Sequence, residues 1–438
     1  MVTFLIIAAA IAVQIFLTAR KVSPFLSLLL TAIPMGLLLG MSPQELLKTI
    51  DHGVGSTLAG LALVIILGAV LGKGLEESGA AEKIATTLVA KLGLRNIQWA
   101  LLLTGFMVGI PLYFNAGFII LIPLIFSLAR RTGLPILQLA IPTVASLSTT
   151  HCFLPPHPGP VFLVNAFGAD MGHTLMYGVV LAIPVVVIAG PWLARRMKAI
   201  NPPMLELFAG PTTTTDQSPP GAWSSFLIAL SPIWLIGLSV LADGVLPKGA
   251  LRETLMFIGN PTIALLLATV AAFYWLGYRR GAALETQTRW LNAAISGISV
   301  ILLIITAGGV FKQVLVDSGV GATIAELSRT WQMTPLLFAW IATALLRVMI
   351  GSSTVAVLTA AGVVGPLIAT TGASPELMVL AVGCGSVFGS HVNDSAFWMF
   401  KEFFNLSMKQ TFLSWTVMET SISLIGLAGV LLLNTVVG

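Results

Sequence analysis

The sequence predicts an all-α polytopic membrane protein with about 11 spans, an inverted repeat, two re-entrant helical hairpins and two interrupted helices. Three observations lead to this fold class: a shortage of charge, long apolar segments, and a likeness between the two halves of the chain. Only 9% of the 438 residues are charged, 57% are hydrophobic, and the mean hydropathy is +0.98. Soluble domains contain about 25% charged residues, and the long apolar runs do not alternate as the strands of a membrane barrel do. Soluble enzymes, disulfide-linked secreted domains and β-barrels are therefore excluded.

The net charge of +5 fits a membrane protein without a nucleic-acid partner, because helical membrane proteins concentrate Lys and Arg in cytoplasmic loops. Cys152 and Cys384 lie far apart in apolar segments and form no disulfide or metal-binding pattern. The first apolar segment, residues 2–19, is followed rather than preceded by basic residues. This order is wrong for a cleaved signal peptide and predicts a retained first span.

The two halves of the chain resemble each other at a constant offset of 240 residues. The matched pairs include Gly68 and Gly308, Pro135 and Pro375, Ser146 and Ser386, and His151 and His391. We predict an N-terminal repeat over 1–193, a cytoplasmic linker over 194–222 that is rich in Pro, Thr and Gly, and an inverted C-terminal repeat over 223–438. Duplicated halves are typical of secondary transporters.

Each half contains one apolar segment that is too long for a single span and has small or polar residues at its middle. Segment 97–130 carries residues 109–117, and segment 334–371 carries residues 351–354. Each is predicted to form a re-entrant hairpin with its tip near the middle of the membrane.

A second segment in each half is interrupted. Segment 135–165 is broken by residues 149–160, which include four prolines, and segment 374–400 by residues 389–395. Proline cannot continue a helix. Irregular backbone within a membrane is tolerated only where it is buried or lines a cavity, so these interruptions predict a central site.

The distribution of cations supports a topology with the N-terminus outside, five crossings and one hairpin per half. Of the 22 Lys and Arg residues, this topology places five outside and Arg347 within the membrane, and the rest inside, in agreement with the positive-inside rule. The five outside are Lys48, Lys248, Arg252, Lys312 and Arg329. Because five crossings is an odd number, the second half is inverted and the hairpins enter from opposite faces.

The residues expected to carry chemistry are the polar ones at the four interruptions. Half-helices that begin there present free N–H groups and the positive end of the helix dipole to an anion, and an arginine can bind a carboxylate through two hydrogen bonds. The predicted substrate-binding residues are Asn115, Thr149, Thr150, His151, Arg347, Ser352, Ser353, Thr354, Ser390, His391, Asn393 and Asp394. Backbone satisfaction is the alternative role for the Ser and Thr residues, and pairing with an acid is the alternative for Arg347.

Two acidic residues, Asp394 and Glu419, fall within predicted spans, where an ionisable group is costly and a candidate for function. Asp394 lies in an interruption and is predicted to handle substrate or protons, whereas a structural or interfacial role is favoured for Glu419. His151 and His391 occupy matched positions and titrate near neutrality. Asp394, His151 and His391 are therefore the candidates for a coupling proton. No P-loop or metal-ligand set is present, and we expect no cofactor and no metal.

Four motifs resemble the bacterial gluconate permease family of proton symporters: residues 148–160 (STTHCFLPPHPGP), 308–319 (GGVFKQVLVDSG), 351–356 (GSSTVA) and 390–394 (SHVND). The resemblance covers essentially the whole chain, and the first motif is most similar to the gluconate/idonate branch. It implies membership of a larger group of anion transporters with paired hairpins, an elevator-type movement and a homodimeric state. One position departs from the family pattern: Asn115 stands where the first hairpin usually carries Glu. If that Glu carries the proton in the family, this chain would use Asp394, a His residue or another ion.

The sequence thus predicts a secondary transporter of the bacterial inner membrane, rather than an enzyme, that imports D-gluconate or a related aldonate with protons. The expected partners are a small anionic substrate, protons, the lipid bilayer and a second copy of the chain. A carrier of D-serine or another hydroxy acid is the closest alternative. An intramembrane enzyme that uses His151 and Asp394 as an acid–base pair is a more remote one.

Overall fold

The computed structural model describes residues 2–200, 202–203, 220–319 and 333–437, and within these ranges every regular element is helical. The helices of the first half are α1 Val2–Ala19, α2 Pro24–Leu38, α3 Pro43–Glu77, α4 Ala80–Leu92, α5 Ile97–Gly109, α6 Phe114–Thr132, α7 Ile136–Phe153, α8 Pro158–Phe167 and α9 Met171–Arg196. Those of the second half are α10 Ala222–Val245, α11 Ala250–Ile258, α12 Pro261–Arg280, α13 Leu284–Asp317, α14 Pro335–Ile350, α15 Ser353–Thr371, α16 Pro375–Gly385, α17 Ser395–Phe403 and α18 Met408–Val437. Residues 201 and 204–219 of the predicted linker, and Arg329, lie outside the described residues.

Several of these helices are suited to cross a bilayer. Six described helices are long and apolar enough to do so, and a seventh is added if α3, which bends by 42° between Ala59 and Leu61, counts as one span. Among the shorter apolar helices that the structure describes, α14 and α15 are the arms of the second hairpin and α16 is part of an interrupted helix, whereas α1 and α2 are separate short helices. The prediction of an all-α polytopic membrane protein is confirmed.

The first hairpin is formed by α5 and α6. Pro111 lies between them and has no N–H group with which to continue a helix. A Cβ added to Gly109 would lie 3.1 Å from Cδ2 of Leu147, and one added to Gly117 would lie 2.8 Å from the same atom. The end of one arm and the start of the other therefore approach the same point on α7.

The second hairpin is formed by α14 and α15, and its tip consists of Gly351 and Ser352. Gly351 has a φ of +80°, a left-handed conformation that glycine adopts without steric cost. The Ser352 hydroxyl accepts a hydrogen bond from the Val355 N–H at 3.4 Å and so caps α15.

The interruption of the first half is shorter than the sequence predicted. Helix α7 continues to Phe153, and it ends because Leu154 precedes Pro155 and adopts the extended conformation that a following proline favours (φ −110°, ψ 128°). Helix α8 begins at Pro158. Thr149, Thr150 and His151 were expected in the interruption, but they lie in the last turns of α7.

The interruption of the second half is longer, running from residue 386 to residue 394 between α16 and α17. Gly389 reverses the backbone with a φ of +61°. Asp394 then caps α17, since its Oδ1 accepts a hydrogen bond from the Ala396 N–H at 2.8 Å.

Helices α3 and α13 pack against each other through small residues. A Cβ on Gly53 would lie 2.9 Å from the Cα of Val310, and one on Gly309 would lie 2.1 Å from the Thr57 hydroxyl oxygen. Glycine at both positions lets the two backbones approach closely, as is common between membrane helices.

Contacts between distant segments separate the helix ends into two groups. At one end, the backbone N–H of Asp170 donates to Glu376, and the Thr49 hydroxyl donates to Asp317. At the other end, three side chains donate hydrogen bonds to distant segments: Arg280 to the Ser78 carbonyl, Asn405 to the Pro203 carbonyl, and Arg195 to the Gln98 side chain. Each contact joins segments that the predicted topology places on one side. In that topology Gln98, which begins the first hairpin, and Glu376, which follows the second, lie on opposite sides, and opposite entry of the hairpins stays a prediction.

Candidate functional site

The first hairpin contacts the first interruption through His157, the residue before α8. The Nε2–H of His157 donates to the backbone carbonyl of Gly109 at 2.8 Å. The ring of His151 packs against that of His157, with centroids 4.9 Å apart. This arrangement places His157 in the structural role expected of a buried, hydrogen-bonded histidine.

The first hairpin also reaches the second interruption. The ring of Phe114, the first residue of α6, packs edge-on against Trp415, with centroids 5.8 Å apart. The Trp415 indole N–H donates to the Ser390 hydroxyl at 2.7 Å, and that hydroxyl donates to Asp394 Oδ2 at 2.5 Å. One aromatic side chain of α18 therefore links the hairpin to the acidic residue.

The second hairpin is joined to the second interruption by a buried ion pair between Arg347 and Asp394. Beside this pair, the Asn393 side-chain amide donates to the Val348 carbonyl at 2.8 Å. A Cβ on Gly351 would lie 2.3 Å from the Asn393 carbonyl oxygen. Glycine is therefore required at the tip for this close approach as well as for its backbone angle.

The end of α7 meets the start of α15 and the end of α16. The Cys152 sulfur lies 3.6 Å from the Ser353 hydroxyl oxygen, and the Ser353 hydroxyl donates to Ser386 at 2.9 Å. A Cβ on Gly383 would lie 2.6 Å from the Cys152 carbonyl oxygen. Together with the contacts above, this meeting point closes a ring of contacts around the two hairpin tips and the two interruptions, which we call the central cluster.

Arg347 is the cation of the central cluster. Its side chain is only 3% exposed, and the ion pair with Asp394 uses Nη2. Its Nε and Nη1 atoms are buried without a hydrogen-bond partner among the described residues. Buried donors of a charged group are rarely left unsatisfied, so these two nitrogens are free to bind an anion.

Glu419 is not among the site residues predicted from the sequence, yet its side chain belongs to the central cluster. Glu419 is 2% exposed, and its Oε2 accepts a hydrogen bond from the Ser148 hydroxyl of α7 at 3.0 Å. Oε1 has no hydrogen-bond partner in the part of the chain that the structure describes. Its position as one of two acids within the spans was the signal that could have identified it.

The structure brings most, but not all, of the predicted residues into this cluster. Thr149 is fully buried. Its hydroxyl and the Nδ1 atom of His151 are both buried without a hydrogen-bond partner among the described residues. Thr150 donates to the Leu147 carbonyl at 3.0 Å. Thr354 is half-buried in the first turn of α15.

Three predicted residues are more peripheral. His391 is half-buried, and its Nδ1–H donates to the Gly389 carbonyl at 2.9 Å. Asn393 is exposed, although its amide holds the second hairpin. Asn115 is exposed in the first turn of α6. Among the described residues, no group of three or more His, Cys, Asp or Glu side chains is placed to hold a metal ion.

The family of this chain is identified by its similarity to known proteins. The model of the GntP family permeases matches residues 2–436. The chain belongs to the GntP permease family. It is 46% identical to the high-affinity gluconate transporter and 45% identical to the Gnt-II system L-idonate transporter of Escherichia coli K12, in each case over 99% of both chains. It is 41% identical to the gluconate permease of Bacillus subtilis 168, again over 99% of both.

The fold of this GntP family permease is also found among solved structures. The crystal structure of the Alcanivorax borkumensis YdaH transporter, described as having an unusual topology, superimposes with a TM-score of 0.67 over 94% of this chain and 97% of that chain. At 17% identity, this likeness concerns the fold alone. The family and these relatives are transporters and not enzymes, so the protein is a multi-pass membrane permease, and the alternative of an intramembrane enzyme is set aside.

Proposed function

We propose that this permease imports D-gluconate or a closely related aldonate together with protons across the bacterial cytoplasmic membrane. Two relatives that are 45–46% identical over nearly the whole chain are named as gluconate and L-idonate transporters. The single observation that supports an anionic substrate best is Arg347, which is buried with two guanidinium nitrogens unbonded by described residues.

In this proposal the substrate carboxylate accepts a charge-assisted hydrogen bond from one of the two unbonded nitrogens of Arg347, Nε or Nη1. Helix α15 begins beside it, and free N–H groups at a helix N-terminus favour negative charge. Hydroxyl and amide groups of the tips and of α7 then bind the sugar hydroxyls. The proposed binding residues besides Arg347 are Asn115, Thr149, Thr150, His151, Ser352, Ser353, Thr354, Ser390, His391, Asn393 and Asp394.

The charges of the central cluster support proton coupling. Arg347 is already neutralised by Asp394, so an incoming carboxylate adds an uncompensated negative charge to a buried site. A charge buried without a partner is costly, and a proton taken up with the substrate removes that cost. Asp394, His151 and His391 are the sequence-derived candidates to carry it.

We further propose an elevator-type movement in a homodimer, with the N-terminus in the periplasm. The repeats 1–193 and 223–438 would form the two inverted halves, joined by the linker 194–222 in the cytoplasm. Hairpins that enter from opposite sides, as the predicted topology has them, would each close the central cluster from one side.

Uptake into proteoliposomes tests the proposed function. Purified protein is reconstituted, and entry of radiolabelled gluconate is followed with and without an inward-directed proton gradient. We expect accumulation above the external concentration only with the gradient. Uptake that ignores the gradient would refute symport, and stronger competition by unlabelled D-serine than by gluconate or idonate would refute the substrate class.

Labelling of single cysteines tests the topology. A cysteine placed at Lys48 is expected to react with an impermeant maleimide added outside intact cells, whereas one placed at Arg195 is expected to react only after permeabilisation. The reverse pattern would place the N-terminus in the cytoplasm. Cross-linking of the reconstituted protein tests the homodimer, and a monomer throughout would refute it.

A further inference from the structure

Glu419 is an acidic side chain of the central cluster, and it is not among the binding or proton-coupling residues of the proposed function. It lies on α18, 2% exposed, and one hydrogen bond, from the Ser148 hydroxyl at 3.0 Å, satisfies only Oε2. Oε1 is buried and has no partner among the described residues. A structural carboxylate in such a place would be expected to have every lone pair engaged or a cation beside it.

The charged and titratable groups around Glu419 that the structure describes offer it no free cation. Arg347 and Asp394 act on it electrostatically, and the Cys152 thiol of α7 is close enough to be affected by its charge. Arg347 is already paired with Asp394. The cluster therefore contains two carboxyl groups and one guanidinium group. With its histidines neutral it carries a net charge of −1 when both carboxyls are ionised, and one carboxyl can take up a proton.

The hydrogen bonds determine which carboxyl is free to do so. Both oxygens of Asp394 already accept hydrogen bonds. Oδ2 accepts from Arg347 and from the Ser390 hydroxyl, and Oδ1 accepts from the Ala396 N–H at the start of α17. Protonation of Asp394 would disrupt these bonds. Oε1 of Glu419 has no such bond to lose.

We propose that Glu419 carries the proton that is coupled to substrate transport, an inference that rests on the proposed function. The substrate carboxylate binds Arg347 as Oε1 of Glu419 takes a proton from the outer side, and the same proton leaves to the inner side after the substrate has been released. The empty deprotonated cluster and the loaded protonated cluster then carry the same net charge of −1. The electrostatic cost of moving the site through the membrane is therefore similar for the empty and the loaded state.

Glu419→Gln tests this assignment, because glutamine retains the shape and the bond to Ser148 but cannot release a proton. Two measurements are made in proteoliposomes: exchange of labelled for unlabelled gluconate at equal pH, and proton entry that accompanies gluconate, followed with an enclosed pH dye. We expect exchange within about twofold of the unmodified protein and loss of gradient-driven accumulation by at least about tenfold. Gluconate that still crosses should bring no protons with it.

Glu402→Gln is the matched control, because Glu402 is exposed and its ion pair is with the neighbouring Lys401; it should retain both activities. Protons that still accompany gluconate in Glu419→Gln would overturn the inference while leaving the proposed symport intact. Loss of exchange together with accumulation, in a protein of unchanged thermal stability, would also overturn it. By contrast, unmodified protein that moves gluconate without protons would refute the proposed function itself.

Ser148→Ala provides a second test that retains the carboxyl group, in case Glu419→Gln fails to fold. The Ser148 hydroxyl donates to Glu419 and therefore favours its ionised form. Removing it should shift the pH dependence of gluconate accumulation to higher pH while exchange is retained. An unshifted pH dependence would overturn the inference.

Discussion

Each half of the permease joins its interrupted helix to its own hairpin at the corresponding position, but the two halves do so with different side chains. In each half, the residue that precedes the second part of the interrupted helix reaches back to the hairpin of the same half. In the first half this residue is His157, which donates to the Gly109 carbonyl; in the second half it is Asp394, which pairs with Arg347. A neutral hydrogen bond therefore occupies the place that an ion pair occupies in the other half.

The same division applies to the last helix of each half. Helix α9 contains no acidic residue, whereas α18 contains Glu419 within the central cluster. The first half supplies packing and a proline-bounded interruption, and the second half supplies the buried charge. A duplicated scaffold thus needs only one of its copies to carry the costly ionisable groups.

The largest expected effect comes from breaking the ion pair. Arg347→Gln leaves the Asp394 carboxylate buried without a cation, which typically costs about 3–5 kcal/mol of folding free energy, and it removes the proposed carboxylate ligand. We expect exchange to fall by more than about 100-fold, together with a lower unfolding temperature in detergent. His157→Gln, which retains an N–H donor for Gly109, should lose far less of both. Equal losses in the two variants would show that the halves contribute equally.

A double variant separates stability from binding. Arg347→Gln combined with Asp394→Asn removes both charges of the ion pair, so position 394 no longer holds a carboxylate without its cation, and the unfolding temperature should recover most of what Arg347→Gln loses. Exchange should remain absent, because the substrate carboxylate still lacks its cation. If exchange returned with the fold, Arg347 would serve structure alone. Asp394→Asn by itself should impair exchange far more than Glu419→Gln.

Local sequence signals were sufficient to predict the hairpins and interruptions, because glycine, proline and polar residues act on the backbone where they stand. They did not predict the ends of these elements. Helix α7 continues through Thr149 and His151, since only the residue directly before Pro155 is excluded from helical geometry. The short helices α4 and α11 were missed because they are not continuous apolar runs.

The role of Glu419 illustrates a different limit. Its partner Ser148 lies 271 residues away in the sequence, and Trp415 links Phe114 to Ser390 across the two halves. Such contacts arise from the packing of one half against the other, which no local pattern specifies. The sequence could therefore identify Glu419 as an unusual acid but not as a member of the central cluster.

A moderate effect is expected from the tip of the second hairpin. Gly351→Ala forces a Cβ to within 2.3 Å of the Asn393 carbonyl oxygen at a φ of +80°, and a left-handed residue alone costs about 1–2 kcal/mol. Gly372→Ala is the matched control, because Gly372 has a φ of +69° but nothing within 4 Å of an added Cβ. We expect Gly351→Ala to lower the unfolding temperature clearly more than the control does. A similar decrease in both would mean that the tip can move away from Asn393.

The smallest effects should distinguish the two tips in substrate binding. Ser353→Ala removes a hydroxyl that lies between Cys152 and Ser386, and one hydrogen bond of about 1 kcal/mol corresponds to roughly a fivefold rise in the KM for gluconate. Asn115→Ala removes an exposed amide of the first hairpin, and its KM should rise less. Thr370→Ala, at the far end of α15, should leave KM unchanged. A larger rise in KM for Asn115→Ala than for Ser353→Ala would show that the first hairpin binds the sugar more strongly. The second half, which carries the buried charges, would then bind the carboxylate, and the first half would bind the sugar hydroxyls.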